Sequence, residues 1–416
     1  MVRLSACMAA LLLCPALHSY SVLTHEAIID SAWDTNIKPL LLKRFPNATP
    51  DDLIKAHGYA YGGCIIQDMG YYPFGSHFFS DLVHYIRTGE FVTALIAESQ
   101  DVDEYAFALG SLAHYVADNQ GHSIAVNPSV AVEYPKLEAQ YGKIVTYADD
   151  PTAHLRVEFG FDVLQVARGS YAPKAYHDFI GFAVSKPLLE RAFRDTYSLE
   201  LKDVFTSVDL ALGTYRHAVA TVIPEMTKVG WKMKKKELAK TDPKVTRKAF
   251  VYNLSRASYH KEWDDEYQKP GIGARVLAFV FRIFPKVGPL KSASFKAPTP
   301  ETSKWFQDSF DKTLTEYRGL LAQQSRNQLR LEDRDFDTGK LTAPTEYQLA
   351  DDTYAKLAIK LADRDPATVD PKLRANILAF YKNLDLPFNT KKKADDWQKT
   401  IAAVGKLRTQ SVSGEL

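Results

Sequence analysis

The sequence predicts an all-α protein, and three observations lead there. Apolar and small residues recur at helical intervals in several separated segments, the valine-rich patches are too short to alternate through a sheet, and one long segment is apolar on several sides. That segment is DVDEYAFALGSLAHYVAD, Asp101 to Asp118. Its acidic first turn complements the helix dipole, while Tyr105, Ala108, Leu109, Leu112, Ala113 and Val116 repeat at helical spacing. It predicts a buried helix, ended or bent by Asn119, Gln120 and Gly121.

The remaining elements follow in order. Arg3 precedes a mostly apolar run from Leu4 to Leu17, too short to span a bilayer comfortably, with the small residues Ser19 and Ser21 beyond it. This pattern predicts a secretory signal over residues 1–19, cleaved after Ser19 or Ser21, and hence a secreted or periplasmic protein. Its removal takes away Cys7 and Cys14 and leaves Cys64 alone, which excludes a disulfide framework within one mature chain.

Thr24 is placed to cap a helix reaching about Ala32, with His25 in its first turn. Pro46, Pro50, Asp51 and Asp52 mark a turn and a second helix start, and the glycine-rich stretch from Tyr59 to Ser76 reads as loop with short ordered pieces. After the long helix, helical patterning returns at Thr152 to Ala167, Pro187 to Tyr197 and Val204 to Thr221. One unit over residues 20–230 is expected, followed by a helical C-terminal extension over residues 231–416.

The extension opens with the basic, polar run Trp231 to Lys244. Gly271 to Pro289 is apolar but carries Arg275, Arg282, Lys286 and Pro285, so it reads as a core helix or a segment lying in a membrane interface rather than as a span. Lys291 to Thr302 reads as an exposed loop, and helices are expected at Ser303 to Arg330, Pro344 to Asp363, Pro371 to Lys382 and Lys391 to Val404. Over 416 residues, 52 basic and 50 acidic side chains nearly balance, which gives no general argument for a nucleic-acid footprint.

Chemistry-bearing side chains concentrate in the first 160 residues. His25 lies in THEAI, Asp68 in QDMG, His77 in SHFFSD, His114 and Asp118 in HYVAD, His122 in NQGH, and His154 and Glu158 in HLRVE. Imidazoles and carboxylates are suitable zinc ligands. His114 and Asp118 are one helical turn apart on one face, as are His154 and Glu158. A buried polar pair on an apolar helix is costly unless something satisfies it, and a metal ion would do so.

Together these segments resemble the zinc-dependent phospholipase C family and, more distantly, the single-strand-specific secreted nucleases that share its three-zinc helical fold. The resemblance covers roughly Tyr20 to Gly230 and implies a multi-helix core holding three zinc ions, or two if the N-terminal site does not form. Asp68, His77, His114 and Asp118 would hold one; His122, His154 and Glu158 a second, with a position left for water. His25, a bridging Asp118 and the amino nitrogen and carbonyl oxygen of a mature N-terminal Tyr20 would hold the third. Asp68 and Glu158 are the candidate catalytic residues.

Some features depart from the family pattern. Tyr20 stands where the family usually has tryptophan, the spacing from Asp118 to His122 is short, and that from His122 to His154 is long. His84 is an alternative to His77; SHFFSD favours His77. The resemblance implies phosphodiester hydrolysis, with a phospholipid as the leading substrate and peripheral membrane contact through Arg275 to Lys286 as a route to it. A nuclease acting on single-stranded nucleic acid is the alternative, with Tyr59, Tyr61, Tyr71, Tyr72, Phe78 and Phe79 as candidate base-stacking rings. A noncatalytic zinc-stabilised envelope interaction protein is a third reading.

Overall fold

The structure is a computed structural model and describes residues 22–167, 182–219, 231, 235–236 and 295–412. The signal sequence, Tyr20, most of the Trp231 to Lys244 run and the Gly271 to Pro289 segment lie outside the described residues. The described chain is helical throughout, and its only β feature is an isolated bridge between Arg334 and Leu341. The all-α expectation therefore holds.

Seven helices come first along the described chain. They are α1 (Val22–Ala32), α2 (Lys38–Arg44), α3 (Pro50–Gly63), α4 (His77–Tyr85), α5 (Thr88–Glu98), α6 (Val102–Gly121) and, beyond a short π-helical turn at His122–Val126, α7 (Asn127–Glu133). The short α8 (Pro135–Tyr141) leads to α9 (Pro151–Ala167), and α10 (Lys186–Tyr197), α11 (Leu201–Val204) and α12 (Val208–His217) follow.

Helix α6 is the axis. Asp101 caps it by accepting from the Glu104 backbone N–H at 2.8 Å, and nearly every side chain from Glu104 to Asn119 is buried. The end or bend expected at Asn119 to Gly121 takes the form of a change of winding: the α-helix stops at Gly121 and a π turn takes over at His122. Such a turn re-aims side chains relative to the helix before it.

The glycine-rich stretch after Tyr59 was expected as loop, and the structure corrects this. Helix α3 runs through Gly58, Gly62 and Gly63, and a 3-10 segment, Ile66–Tyr71, follows at once. The reason is packing against α6 rather than turning. A Cβ on Gly63 would lie 1.9 Å from the Phe107 carbonyl oxygen, and one on Gly110 would lie 2.1 Å from that of Ala60, so the two backbones meet at a distance only glycine allows.

Thr24, expected as a cap, lies inside α1. The capping carboxylate comes from far along the chain: Asp162 of α9 accepts from the backbone N–H groups of Leu23 and Thr24 at 3.1 and 2.7 Å, and from the Thr24 hydroxyl at 2.6 Å. These bonds tie α1 to α9, which carries His154 and Glu158.

The C-terminal region contributes α13 (Pro300–Ser325), α14 (Gln348–Ala362), α15 (Pro371–Phe380) and α16 (Ala394–Val412). Where an exposed loop was expected before α13, Phe295 and Pro298 are buried. Phe295 packs its ring on that of Phe159. Helix α13 lies along α6, its Tyr317 hydroxyl donating to the Leu109 carbonyl at 2.9 Å, while α14 packs on α4 and on α16.

Between α13 and α14 the chain crosses the surface formed by α4 to α7. The Tyr115 hydroxyl donates to the Glu332 carbonyl at 2.8 Å, the Phe336 N–H to the His84 carbonyl at 3.1 Å, and the Thr342 hydroxyl to the Tyr85 carbonyl at 3.0 Å. This strap carries Phe336 and Asp337 into the interior, where both are buried.

Candidate metal centre

Four donors from three elements form the first cluster. Asp68 comes from the 3-10 segment, His84 from the last turn of α4, and His114 and Asp118 from successive turns of α6; one ligand atom from each lies within 4.8 Å of every other. His114 Nε2 is 3.0 Å from Asp118 Oδ2, and His84 Nε2 is 3.3 Å from Asp68 Oδ1 and 3.6 Å from Asp118 Oδ2. The far edges of both rings are fixed by backbone carbonyls. His114 Nδ1 lies 3.0 Å from the Cys64 oxygen and His84 Nδ1 2.8 Å from that of Ser80. A carbonyl only accepts, so each Nδ1 carries the proton and each Nε2 is turned toward the cluster.

The histidine in this cluster is His84, the alternative, while the favoured His77 is not among the grouped donors. His77 is the first residue of α4; it is exposed and sets its ring edge-on against Tyr71 at 5.4 Å. Two turns later the same helix sinks against the core, and His84 is buried among Leu82, Val83 and Tyr85. SHFFSD had favoured the exposed end of the helix, and burial is what distinguishes His84.

The second cluster joins His122, at the start of the π turn, to His154 and Glu158 on successive turns of α9. His154 Nε2 is 2.8 Å and His122 Nε2 3.2 Å from Glu158 Oε1. The other edge of His122 faces the strap, with Nδ1 3.2 Å from the Phe336 carbonyl oxygen and 3.4 Å from Asp337 Oδ1. His25 approaches Asp118 from the opposite side to the first cluster, Nε2 to Oδ1 at 3.3 Å, and stacks on His114 with ring centroids 4.6 Å apart. Asp118 thus faces His25 with one oxygen and His84 and His114 with the other, and Tyr20 lies outside the described residues.

The donor set fits a cation on two grounds. Both oxygens of Asp68, both of Glu158, and Nε2 of His122 and His154 are buried with no aligned hydrogen bond, an arrangement whose cost a shared metal ion removes. The charges point the same way. Burial works against an ionised Asp118, yet the imidazoles of His114 and His122 and hydrogen bonds from His114 and His25 hold it well below the usual carboxylate range.

Glu158 is likewise lowered against its burial, by His154 and His122. Burial also disfavours a charged His84, but hydrogen bonds to Asp118 and Asp68 outweigh it and push the imidazole up to about 10. Of the carboxylates, Asp68 runs the other way, raised by its burial with His114 and His84 opposing only in part. Zinc is among the cations that nitrogen and oxygen donors in sets of three and four suit.

Sequence reasoning missed Phe336, whose ring packs on His84, His114 and Tyr115, and Asp337. The acidic run DRDFDTG is visible in the sequence, but nothing there links it to a histidine more than two hundred positions earlier.

The family model described as zinc-dependent phospholipase C matches residues 24–207. No curated protein and no solved structure matches the chain. The matched span contains both donor clusters, and together they indicate a zinc-binding, phosphodiester-hydrolysing function of that family's type.

Proposed function

Because residues 24–207 form a zinc-dependent phospholipase C family domain, we propose that this chain hydrolyses phospholipids, releasing diacylglycerol and a phosphorylated headgroup. The observation that carries the reading is the convergence of seven buried donors in two adjacent clusters inside that domain. Zinc held there would acidify and orient a water molecule and offset the negative charge that grows on the phosphoryl oxygens.

The side chains have separable tasks. His84, His114 and Asp118 bind, with the two imidazoles locked in one tautomer by the Ser80 and Cys64 carbonyls. Asp68, whose carboxylate oxygens have no aligned hydrogen bond, is placed to orient the attacking water and take up its proton. His122, His154 and Glu158 form the three-donor set, which leaves a coordination position for water or substrate. A third zinc between His25, Asp118 and a mature N-terminus at Tyr20 is part of the proposal, as is export of the chain.

The lipid reading draws support from the residues flanking the clusters. The Tyr147 ring lies 5.8 Å from His154 and 6.2 Å from that of Tyr71. Three positions from these tyrosines stand Phe74 and Ile144, both about half exposed at 51% and 52%, the kind of apolar side chains that enter an acyl boundary. Four of the rings considered for stacking bases, Tyr61, Tyr71, Tyr72 and Phe79, are buried in the core, which weakens the nuclease reading.

Parallel assays of the zinc-loaded protein on phosphatidylcholine vesicles and on single-stranded DNA test the choice. Cleavage of the lipid is expected, with activity reduced at least about a thousandfold in both His114→Ala and Glu158→Ala. Turnover of DNA alone would replace the substrate, and full activity in either variant would remove the site.

A further inference from the structure

We propose that Asp337 is a positioning residue for the second metal site, so that the C-terminal region completes a centre whose donors all lie in the matched domain. This rests on the zinc reading above and adds to it a residue outside residues 24–207.

The geometry is that of a carboxylate behind a metal-facing imidazole. His122 presents Nε2 to Glu158 at 3.2 Å, while Nδ1, on the opposite edge of the ring, lies 3.4 Å from Asp337 Oδ1. A ring whose Nδ1 donates outward must offer the Nε2 lone pair inward, and a carboxylate on the outer edge makes that lone pair a stronger ligand. The Phe336 carbonyl, 3.2 Å from the same Nδ1, reinforces the tautomer without adding charge.

Asp337 is held for this task from every side. Its Oδ2 accepts from the Tyr85 hydroxyl at 2.9 Å and from the Tyr347 hydroxyl, which leaves Oδ1 for His122. Its backbone carbonyl accepts from Asn127 Nδ2 at 2.6 Å and its N–H donates to Asp335 Oδ1 at 3.0 Å. Tyr85 ends α4 directly after His84, and Asn127 follows the π turn that His122 begins. Asp337 is therefore registered against α4, which carries His84, and against the segment that carries His122. A buried carboxylate with this many donors and 3% exposure is built into the fold rather than left on a surface.

The test uses the full chain and reads zinc as well as turnover. Asp337→Asn keeps the size of the side chain and removes its charge. One zinc of the bound set should then be held about 10–100-fold more weakly in competition with a fluorescent chelator. On phosphatidylcholine, kcat should fall while KM stays, and Asp337→Glu should recover part of both losses.

Tyr347→Phe, which loosens Oδ2 alone, should weaken zinc by a smaller factor. Wild-type zinc affinity in Asp337→Asn overturns the inference while leaving the phospholipase reading intact. So does a variant that only lowers the melting temperature of the zinc-free protein. A wild-type chain that takes up no zinc removes both.

Discussion

The two donor clusters differ less in their ligands than in what holds the ligands still. In the first, His84 and His114 are oriented by neutral carbonyls, that of Ser80 one turn earlier on the same helix as His84 and that of Cys64 at the end of α3. In the second, His122 is oriented by the strap, through the Phe336 carbonyl and the charged Asp337. One site is braced locally and the other by residues more than two hundred positions away. Cluster geometry in this chain is thus a property of the matched region plus what wraps it.

The comparison breaks most visibly at the first cluster, through the pair His84 and His77. With His84 as the buried donor, His84→Ala should lose one equivalent of zinc and at least about a hundredfold in phosphatidylcholine turnover, because an open coordination set no longer fixes the metal. His77→Ala removes an exposed ring and should change turnover by less than about threefold. Zinc counting by mass spectrometry and initial rates on the two purified variants decide it, and the reverse order of effects would restore His77 as the ligand.

A middle-sized effect is expected at Phe336, which touches the first cluster as well as the second. Its ring is fully buried, with centroids 5.2 Å from His84 and 5.9 Å from His114, and its carbonyl meets His122. Phe336→Ala should cost about 3–5 kcal/mol in urea unfolding of the zinc-free protein. Of the metals that remain, the one at His122 should be released first during chelation. Release of the first-cluster zinc ahead of it would show that the strap braces both sites equally.

What was legible in the sequence follows the range of the interactions. The one-turn pairs His114 with Asp118 and His154 with Glu158 could be read because helical spacing alone places both members on one face. Asp68 and His122 were found through their motif neighbours. The choice between His77 and His84 stayed open because both lie on α4 two turns apart, so spacing cannot separate them, whereas burial beside His114 of α6 places His84 in the cluster. The glycines of α3 misled for a related reason: a glycine that allows close helix packing and one that allows a turn look the same until the partner helix is known. Asp162 and Asp337 act across 138 and more than 200 positions, beyond any local pattern.

The smallest effect probes the seam where the region of the second cluster meets the C-terminal helices. Glu133 ends α7, is buried beside Thr302 of α13, and has Lys296 donating to its backbone carbonyl. Burial raises its carboxyl from 4.5 to about 8, with Lys296 and Thr302 opposing only in part. A carboxyl that holds its proton more tightly when folded contributes stability that is complete below the unfolded value near 4.5 and is lost as the pH rises through about 8. Glutamine keeps the acceptor for Thr302 and has no charge to bury. Glu133→Gln should therefore match wild type near pH 4.5 and exceed it increasingly up to pH 8 or above, by on the order of 1–3 kcal/mol. Melting curves of both proteins across that range give the answer. A constant difference would mean that the seam accommodates the ionised carboxylate, and that the matched region and its C-terminal wrap are joined more loosely there than at the strap.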